Sequence, residues 1–160
     1  METICVGPRV CAATPSKLFD DPVRVEVGLW NMVDRRLQAA HDLPLAGLEP
    51  LRVVVGRGGR ARVGEIAAAL GVSRGGASKL ADRLERAGLA CRESDPSDGR
   101  AAWVVATDAG LRMHTAASRT LDQTLDPVLA RALGAGGVDG LAGALALLRA
   151  AVADDEETST

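Results

Sequence analysis

The stretch from Val63 to Gly110 constrains the fold most, because its apolar spacing and its glycines predict two short helices separated by a tight turn. The first helix is predicted over residues 62–70 and the second over residues 74–87. Gly71 supplies the left-handed conformation that ends the first helix, and Ser73 is placed to cap the second by accepting a backbone N–H bond. The pattern therefore predicts a helix-turn-helix.

A basic hairpin is predicted directly after the second helix. Residues 89–92 and 103–106 are typical of short strands, and the residues between them, SDPSDGRAA, are turn formers. Arg100 lies near the tip of this hairpin, where a cation can enter a minor groove or contact phosphate. A helix-turn-helix followed by such a hairpin is a winged helix-turn-helix, so we expect a mainly α fold with a small β-wing that binds DNA.

The second helix is the element that a major groove would meet, because it presents small, hydrogen-bonding and basic side chains near its start. We expect Arg74, Ser78 and Lys79 to read or hold the major groove, and Arg83 to contact phosphate. The full set of expected DNA-contacting residues is Ser73, Arg74, Gly75, Gly76, Ser78, Lys79, Arg83, Asp98 and Arg100.

The same stretch resembles the DNA-binding core of the MarR (multiple antibiotic resistance regulator) family. The likeness covers Glu65-Ile66-Ala67, Leu70-Gly71-Val72-Ser73-Arg74, Leu80, Asp82-Arg83-Leu84-Glu85, Gly88-Leu89, Asp95-Pro96, Asp98-x-Arg100 and Thr107-Asp108-Ala109-Gly110. The resemblance implies a homodimeric transcriptional regulator, typically a repressor, that binds a pseudo-palindromic operator in double-stranded DNA. It also implies a response to a small molecule or an oxidant.

Two departures from the family pattern concern the DNA-facing positions. Gly75 and Gly76 stand where the family commonly carries Ser or Thr, so side chains that could hydrogen-bond to DNA are absent. Each glycine in a helix costs about 1 kcal/mol relative to alanine, although bare N–H groups at a helix start can still hold a phosphate. Gly99 replaces a position that is often basic, which leaves Arg100 as the principal cation of the wing tip.

The charge is unevenly distributed, because the predicted winged region is basic and the rest of the chain is acidic. The whole chain has a net charge of −2, but residues 56–103 contain nine Arg or Lys against six Asp or Glu. This local excess favours contact with a polyanion, and a solvated helix face would also be charged.

Helical stripes flank the winged region on both sides. Before it, Asp21 and Pro22 predict the start of a helix. After it, a long helix is expected to follow the capping residue Thr107, with a bend or break at Pro127. A final helix is predicted over residues 138–152. In the resembling family such helices pack against a second subunit. We therefore expect a loose segment at 1–20, a dimerisation region at 21–45 and 108–153, a winged DNA-binding lobe at 46–107, and an acidic disordered tail at 154–160.

The resemblance also directs attention to an effector pocket between the dimer helices and the winged lobe. The candidate residues are Trp30, Val33, Met113 and His114, and a plain core role for Trp30 and Met113 is an equally good interpretation. Three cysteines make a structural disulfide framework improbable in a reducing compartment. Cys5 and Cys11 are candidates for a redox sensor, whereas Cys91 reads as a small strand residue.

Other function classes find no support in the sequence. No catalytic motif is present, and the two histidines are too few and too far apart to specify a metal site, so we expect neither an enzyme nor a metal or cofactor. No apolar run reaches the length of a membrane span and no signal peptide is recognisable, so we expect a cytoplasmic protein. The alternatives are a thiol-based redox-sensing regulator and a winged-helix protein-interaction module that has lost DNA binding.

Overall fold

The computed structural model describes residues 14–95, 98–134 and 136–158. Its helices are α1 (Pro15–His41), α2 (Leu45–Gly56), α3 (Val63–Leu70), α4 (Arg74–Arg86), α5 (Asp108–Leu133) and α6 (Gly137–Thr158). Strands β1 (Arg60–Arg62), β2 (Ala90–Asp95) and β3 (Asp98–Ala106) form one antiparallel sheet in the order β1-β3-β2. The mainly helical fold with a small β-wing is confirmed.

The helix-turn-helix forms at the residues that the sequence indicates. Gly71 adopts the left-handed conformation, with φ 63° and ψ 33°, and ends α3. Two residues later the Ser73 hydroxyl caps α4 by accepting a hydrogen bond of 3.1 Å from the backbone N–H of Gly76. The turn between α3 and α4 is therefore short, and the two helices pack through Ile66 and Ala77, which are fully buried.

The hydrophobic core is centred on α2. Leu48, Leu51 and Val54 are completely buried, because this helix is surrounded by α1, α3, α4, α5 and the sheet. Leu37 from α1 and Val104 from β3 enter the same cluster. The core thus joins the winged elements to the first halves of the two long helices, and it positions α4 at the surface.

The strand β1 is not among the elements predicted from the sequence, whose first helix in this region begins at residue 62. Residues 60–62 pair with residues 103–105 of β3, and Ala61 in the middle is fully buried. A strand of three residues is too short to carry a periodic signal, and it forms because the free edge of β3 offers backbone hydrogen bonds to it.

The helix ends differ from the expectation at three places. α1 starts at Pro15 rather than at Asp21, because Thr14 caps it by accepting a bond of 3.3 Å from the Lys17 N–H. α5 continues as a helix through Pro127 to Leu133. Pro127 is exposed, so water can bond to the carbonyl that its missing N–H leaves free. α6 reaches Thr158, so residues 154–158 are helical rather than a disordered tail.

The start of α5 is pressed against the end of α4 and the start of the wing. The Thr107 hydroxyl caps α5 by accepting a bond of 3.0 Å from the Gly110 N–H, and it donates a bond of 2.7 Å to the Gly88 carbonyl. A Cβ atom added at Gly110 would lie 2.0 Å from the Leu89 carbonyl oxygen. Position 110 therefore requires glycine because of a backbone contact, and its own backbone conformation is helical.

We expect Gly110→Ala to lower the free energy of unfolding by about 2–3 kcal/mol, because the added methyl group forces α5 away from the Leu89 carbonyl. Urea unfolding followed by circular dichroism measures this loss. Gly75→Ala is the matched control, since its Cβ would meet nothing closer than the Ser73 hydroxyl at 4.0 Å. Equal stability of the Gly110 variant and the wild type would contradict the close contact.

Candidate nucleic-acid interface

The outward face of α4 is basic and exposed. Arg74, Lys79 and Arg83 are exposed, whereas Ala77 and Ala81 on the opposite side are buried in the core. The spacing of the helix separates the two faces, as the sequence pattern predicts. A basic, open helix face without an apolar cover is suited to approach the phosphates and base edges of a groove.

After Arg74, the first turn of α4 has no polar side chain. The Ser73 hydroxyl is used as the helix cap, Gly75 is exposed, and Gly76 is half-buried. A Cβ at Gly75 would lie 4.0 Å from its nearest neighbour, the Ser73 hydroxyl oxygen, so packing in the free chain does not require glycine there. Backbone N–H groups are therefore the main polar groups that this turn offers to a ligand.

Arg74 lies back against the start of α3. Its Nη2 atom would be 3.0 Å from a Cβ atom added at Gly64, and its Nε atom 3.4 Å from it. The guanidinium thus passes over the glycine of the neighbouring helix while the residue as a whole stays exposed. This arrangement places a positive charge at the junction of the two helices of the motif.

Arg92 of β2 joins the wing to the outer side of α4. Its guanidinium pairs with the Asp82 carboxylate, donates a bond of 3.3 Å to the Ser78 hydroxyl, and lies 3.7 Å from a Glu85 oxygen. Ser78, expected to read the major groove, therefore spends part of its hydrogen-bonding capacity on the wing. The bridging role of Arg92 is not predicted from the sequence. The one available signal is its position two residues after the buried Ala90, which puts both side chains on the face of β2 that points toward the core.

We expect Arg92→Met to weaken binding to duplex DNA by about two- to fivefold, because the wing loses its polar connection to α4. The free energy of unfolding changes by less than about 1 kcal/mol, since both charged partners are partly exposed. Equilibrium binding and urea unfolding measure the two quantities. Arg52→Met, which breaks the exposed pair with Glu49 on α2, is the control, and identical losses in both variants would contradict a role for the bridge in positioning the wing.

The expected wing residues are placed by the backbone of β3. Asp98 is in register with Asp95 across the hairpin, and Arg100 follows two residues later on the same strand. Their side chains lie outside the described part of the structure. Both therefore stay predicted DNA contacts, on a strand whose other end is anchored in the core by Val104.

The candidate pocket residues have different environments. Val33 is buried in the core cluster and Met113 packs against that cluster, whereas Trp30 remains 39% exposed. His114 is half-buried, and burial together with the nearby Arg52 charge lowers the pKa of its imidazole. Their role in ligand binding stays a prediction.

An open cavity of about 680 Å³ lies between α1 and α5, and none of those four residues lines it. Arg36, Thr120, Gln123 and Thr124 supply its polar groups, and its full lining is Met32, Arg36, Ala39, Ala40, Thr120, Gln123, Thr124, Pro127 and Val128. Thr120 also bonds to the His41 ring at 2.8 Å, which connects the end of α1 to α5 beside the cavity. The cavity is large enough for a small organic molecule.

The remaining candidates for chemistry find little support. Cys5 and Cys11 lie outside the described residues, and Cys91 is a half-buried free thiol on β2. Within the described ranges, no group of three or more His, Cys, Asp or Glu side chains could hold a metal ion. Among the described residues no single helix is long and apolar enough to cross a membrane, and α5 with α6 reaches that length and composition only as a pair bent by 101°.

The sequence model of the MarR family matches residues 41–101, which contain the helix-turn-helix and most of the hairpin. This match confirms the resemblance that the motifs of residues 63–110 indicate. No curated protein matches the chain by sequence.

Solved structures share the fold over most of the chain. Sco3205, a MarR family transcriptional regulator from Streptomyces coelicolor in complex with DNA, has a TM-score of 0.74 at 22% identity, covering 90% of this chain and 91% of that chain. A mutant of E. coli MarR complexed with operator DNA has a TM-score of 0.73 at 22% identity, covering 82% and 92%. Bordetella bronchiseptica BpsR, whose DNA binding is regulated by 6-hydroxynicotinic acid, has a TM-score of 0.73 at 14% identity, covering 83% and 98%.

Proposed function

We propose, from the match of the MarR family model to residues 41–101, that this chain is a homodimeric transcriptional regulator that binds a pseudo-palindromic operator in double-stranded DNA. It acts as a repressor that a small-molecule effector releases. The observation that carries the proposal is the open basic face of α4 beside a wing, in the arrangement that places one helix in a major groove and a hairpin in the adjacent minor groove.

The DNA contacts divide into two groups on this proposal. Arg74, Lys79 and Arg83 on α4 approach the major groove and its phosphates, and Arg100 on the wing approaches the minor groove. These two sets of contacts lie on α4 and on the wing, which are joined by the ion pair between Arg92 of β2 and Asp82 of α4. Sco3205 and a mutant of E. coli MarR, which share the fold, are complexed with DNA, and this supports DNA binding by the present chain.

We expect Lys79→Gln to weaken operator binding and to lower the slope of log affinity against log salt by about 1, because one phosphate contact is lost. The measurement is a titration of the purified protein onto the DNA upstream of its own gene and onto a scrambled duplex, across a salt series. Arg119→Gln, which removes an exposed cation from α5, is the matched control and keeps the wild-type slope.

Arg100→Ala in the same titration tests the wing contact separately. Operator affinity falls while the preference for the major-groove sequence is kept, since only the minor-groove contact is removed. Unchanged affinity of both variants at matched salt would contradict the DNA interface. Equal and weak binding of the wild type to both duplexes would favour the alternative of a winged-helix interaction module.

A second copy of the chain is the proposed cover for the exposed apolar faces of α1 and α6. The large apolar side chains exposed on these two helices are Leu18, Phe19, Val23, Val25, Val27, Trp30, Val138, Leu141, Leu145, Leu147, Leu148 and Val152. An apolar surface of this extent is unusual for a monomer and marks an interaction site. Within the described residues the main packing partner of α6 is α5, so a partner helix has room to pack on its other sides.

We expect Leu148→Glu to shift the chain toward monomer, because a carboxylate replaces an apolar side chain that is 61% exposed in the single chain. Sedimentation velocity over a concentration series measures the change. Arg149→Glu alters the neighbouring charged position of the same helix and serves as the control. A wild-type chain that sediments as a monomer at micromolar concentration would contradict the proposed dimer.

The effector is proposed to act on the α1 and α5 pair. The cavity of about 680 Å³ lies between these helices, and Arg36 is its one charged lining residue among the described residues. A molecule bound there shifts the population between two arrangements of the helices if it binds one of them more tightly. A coupling of about 1–3 kcal/mol changes operator affinity by about 5- to 150-fold, which is sufficient for regulation.

A further inference from the structure

The wing is the part of the β2–β3 hairpin that extends beyond the three-stranded sheet, and it begins at Trp103, which we call its root. β1 pairs with β3 at residues 103–105, whereas β2 follows β3 from residue 106 down to residue 98. Between Trp103 and the hairpin turn, β3 therefore has β2 as its only strand partner in the described residues. A two-stranded ribbon has little stability of its own, so its direction is set at this root.

Two arginine side chains of β1 contact the Trp103 ring at the root. The guanidinium carbons of Arg60 and Arg62 lie 4.9 and 4.8 Å from the ring centroid, within the range of a cation–π contact. Arg62 is directly opposite Trp103 in the sheet, and β1 continues into α3 without an intervening loop. The ring thus connects the central strand of the wing to the first helix of the helix-turn-helix.

On the opposite face of the sheet, Arg92 makes contacts next to the register position of Trp103. Glu93 is the residue of β2 that is in register with Trp103, and its neighbour Arg92 points to the opposite face because side chains alternate along a strand. Arg92 reaches Asp82 of α4 on that inner face. The root of the ribbon is therefore fixed by aromatic contacts on the outer face and by charged contacts on the inner face.

We propose that Trp103, together with Arg60 and Arg62, positions the wing. The group contacts no DNA in this role, and it sets the direction of the ribbon that carries Arg100. Arg100 lies three residues beyond Trp103, about 10 Å along the strand, so a rotation of about 15° at the root moves it by about 2.5 Å. Such a shift exceeds the tolerance of a hydrogen bond to a groove or a phosphate. The consequence for binding rests on the proposed operator function, whereas the consequence for the ribbon does not.

Hydrogen exchange of the free full-length protein tests the effect on the ribbon. We expect Trp103→Ala to accelerate exchange of the wing amides at residues 93–95 and 98–102 by about 5- to 30-fold, the factor that corresponds to two exposed cation–π contacts. Arg60→Gln combined with Arg62→Gln has the same effect without removing the ring. Trp103→Phe keeps an aromatic face and restores protection. Wild-type exchange rates in the alanine and double-glutamine variants would overturn the proposal.

A double-mutant cycle on duplex DNA tests the effect on Arg100. If Trp103 acts through the position of Arg100, the double variant Trp103→Ala, Arg100→Ala binds the operator no more weakly than Arg100→Ala alone. Trp103→Ala combined with Lys79→Gln shows additive losses, because Lys79 lies on α4. Additive losses in the Arg100 pair would overturn the positioning role, since a general structural defect has that signature.

The two tests separate this proposal from the function it rests on. Wild-type protein that does not discriminate between operator and scrambled duplex contradicts the operator function, and the exchange experiment then still decides whether Trp103 fixes the ribbon. Discriminating wild-type binding with unchanged exchange in the variants contradicts the positioning role alone.

Discussion

The contact between Gly110 and the Leu89 carbonyl is the constraint on which the rest of the structure depends. It brings the first turn of α5 within van der Waals distance of the backbone where α4 passes into the wing, and no residue with a Cβ atom fits there. Thr107 completes the joint, because its hydroxyl bonds to Gly88 and its N–H donates a bond of 3.1 Å to the Leu89 carbonyl. The helix α4, proposed to enter DNA, and the long helix α5 are therefore joined with little freedom between them.

This joint gives a physical route from the helical region to the DNA interface. α1 packs along α5, and the cavity between them is lined by residues 32–40 and 120–128. On the proposed function, a change in the crossing of these two helices would reach the winged lobe through the close contact at Gly110. The proposed effector needs only to favour one helix arrangement, and rotation of packed subunits is a common form of such transitions.

The parts of the fold that follow from local chemistry could be predicted, and the parts that depend on distant pairing could not. Gly71, Ser73 and Thr107 act on residues within one turn, so the sequence alone places the end of α3 and the starts of α4 and α5. β1 and the Arg92 bridge join residues ten or more positions apart, and no local pattern records them. The start of α1 was placed wrongly because Pro22 is tolerated inside an exposed helix that Thr14 already caps. The candidate pocket residues came from a family resemblance, and the cavity between α1 and α5 depends on side chains that only packing brings together.

The central claim is that a rigid joint sets two winged lobes at a spacing that fits DNA. The most direct measurement is the distance between spin labels at Lys79→Cys in a chain whose three native cysteines are replaced by serine. Pulsed electron paramagnetic resonance on the operator complex is predicted to give a narrow distribution, corresponding to recognition helices about one DNA turn apart, roughly 34–36 Å. An absent intersubunit distance, or a broad distribution that operator DNA leaves unchanged, would contradict the account.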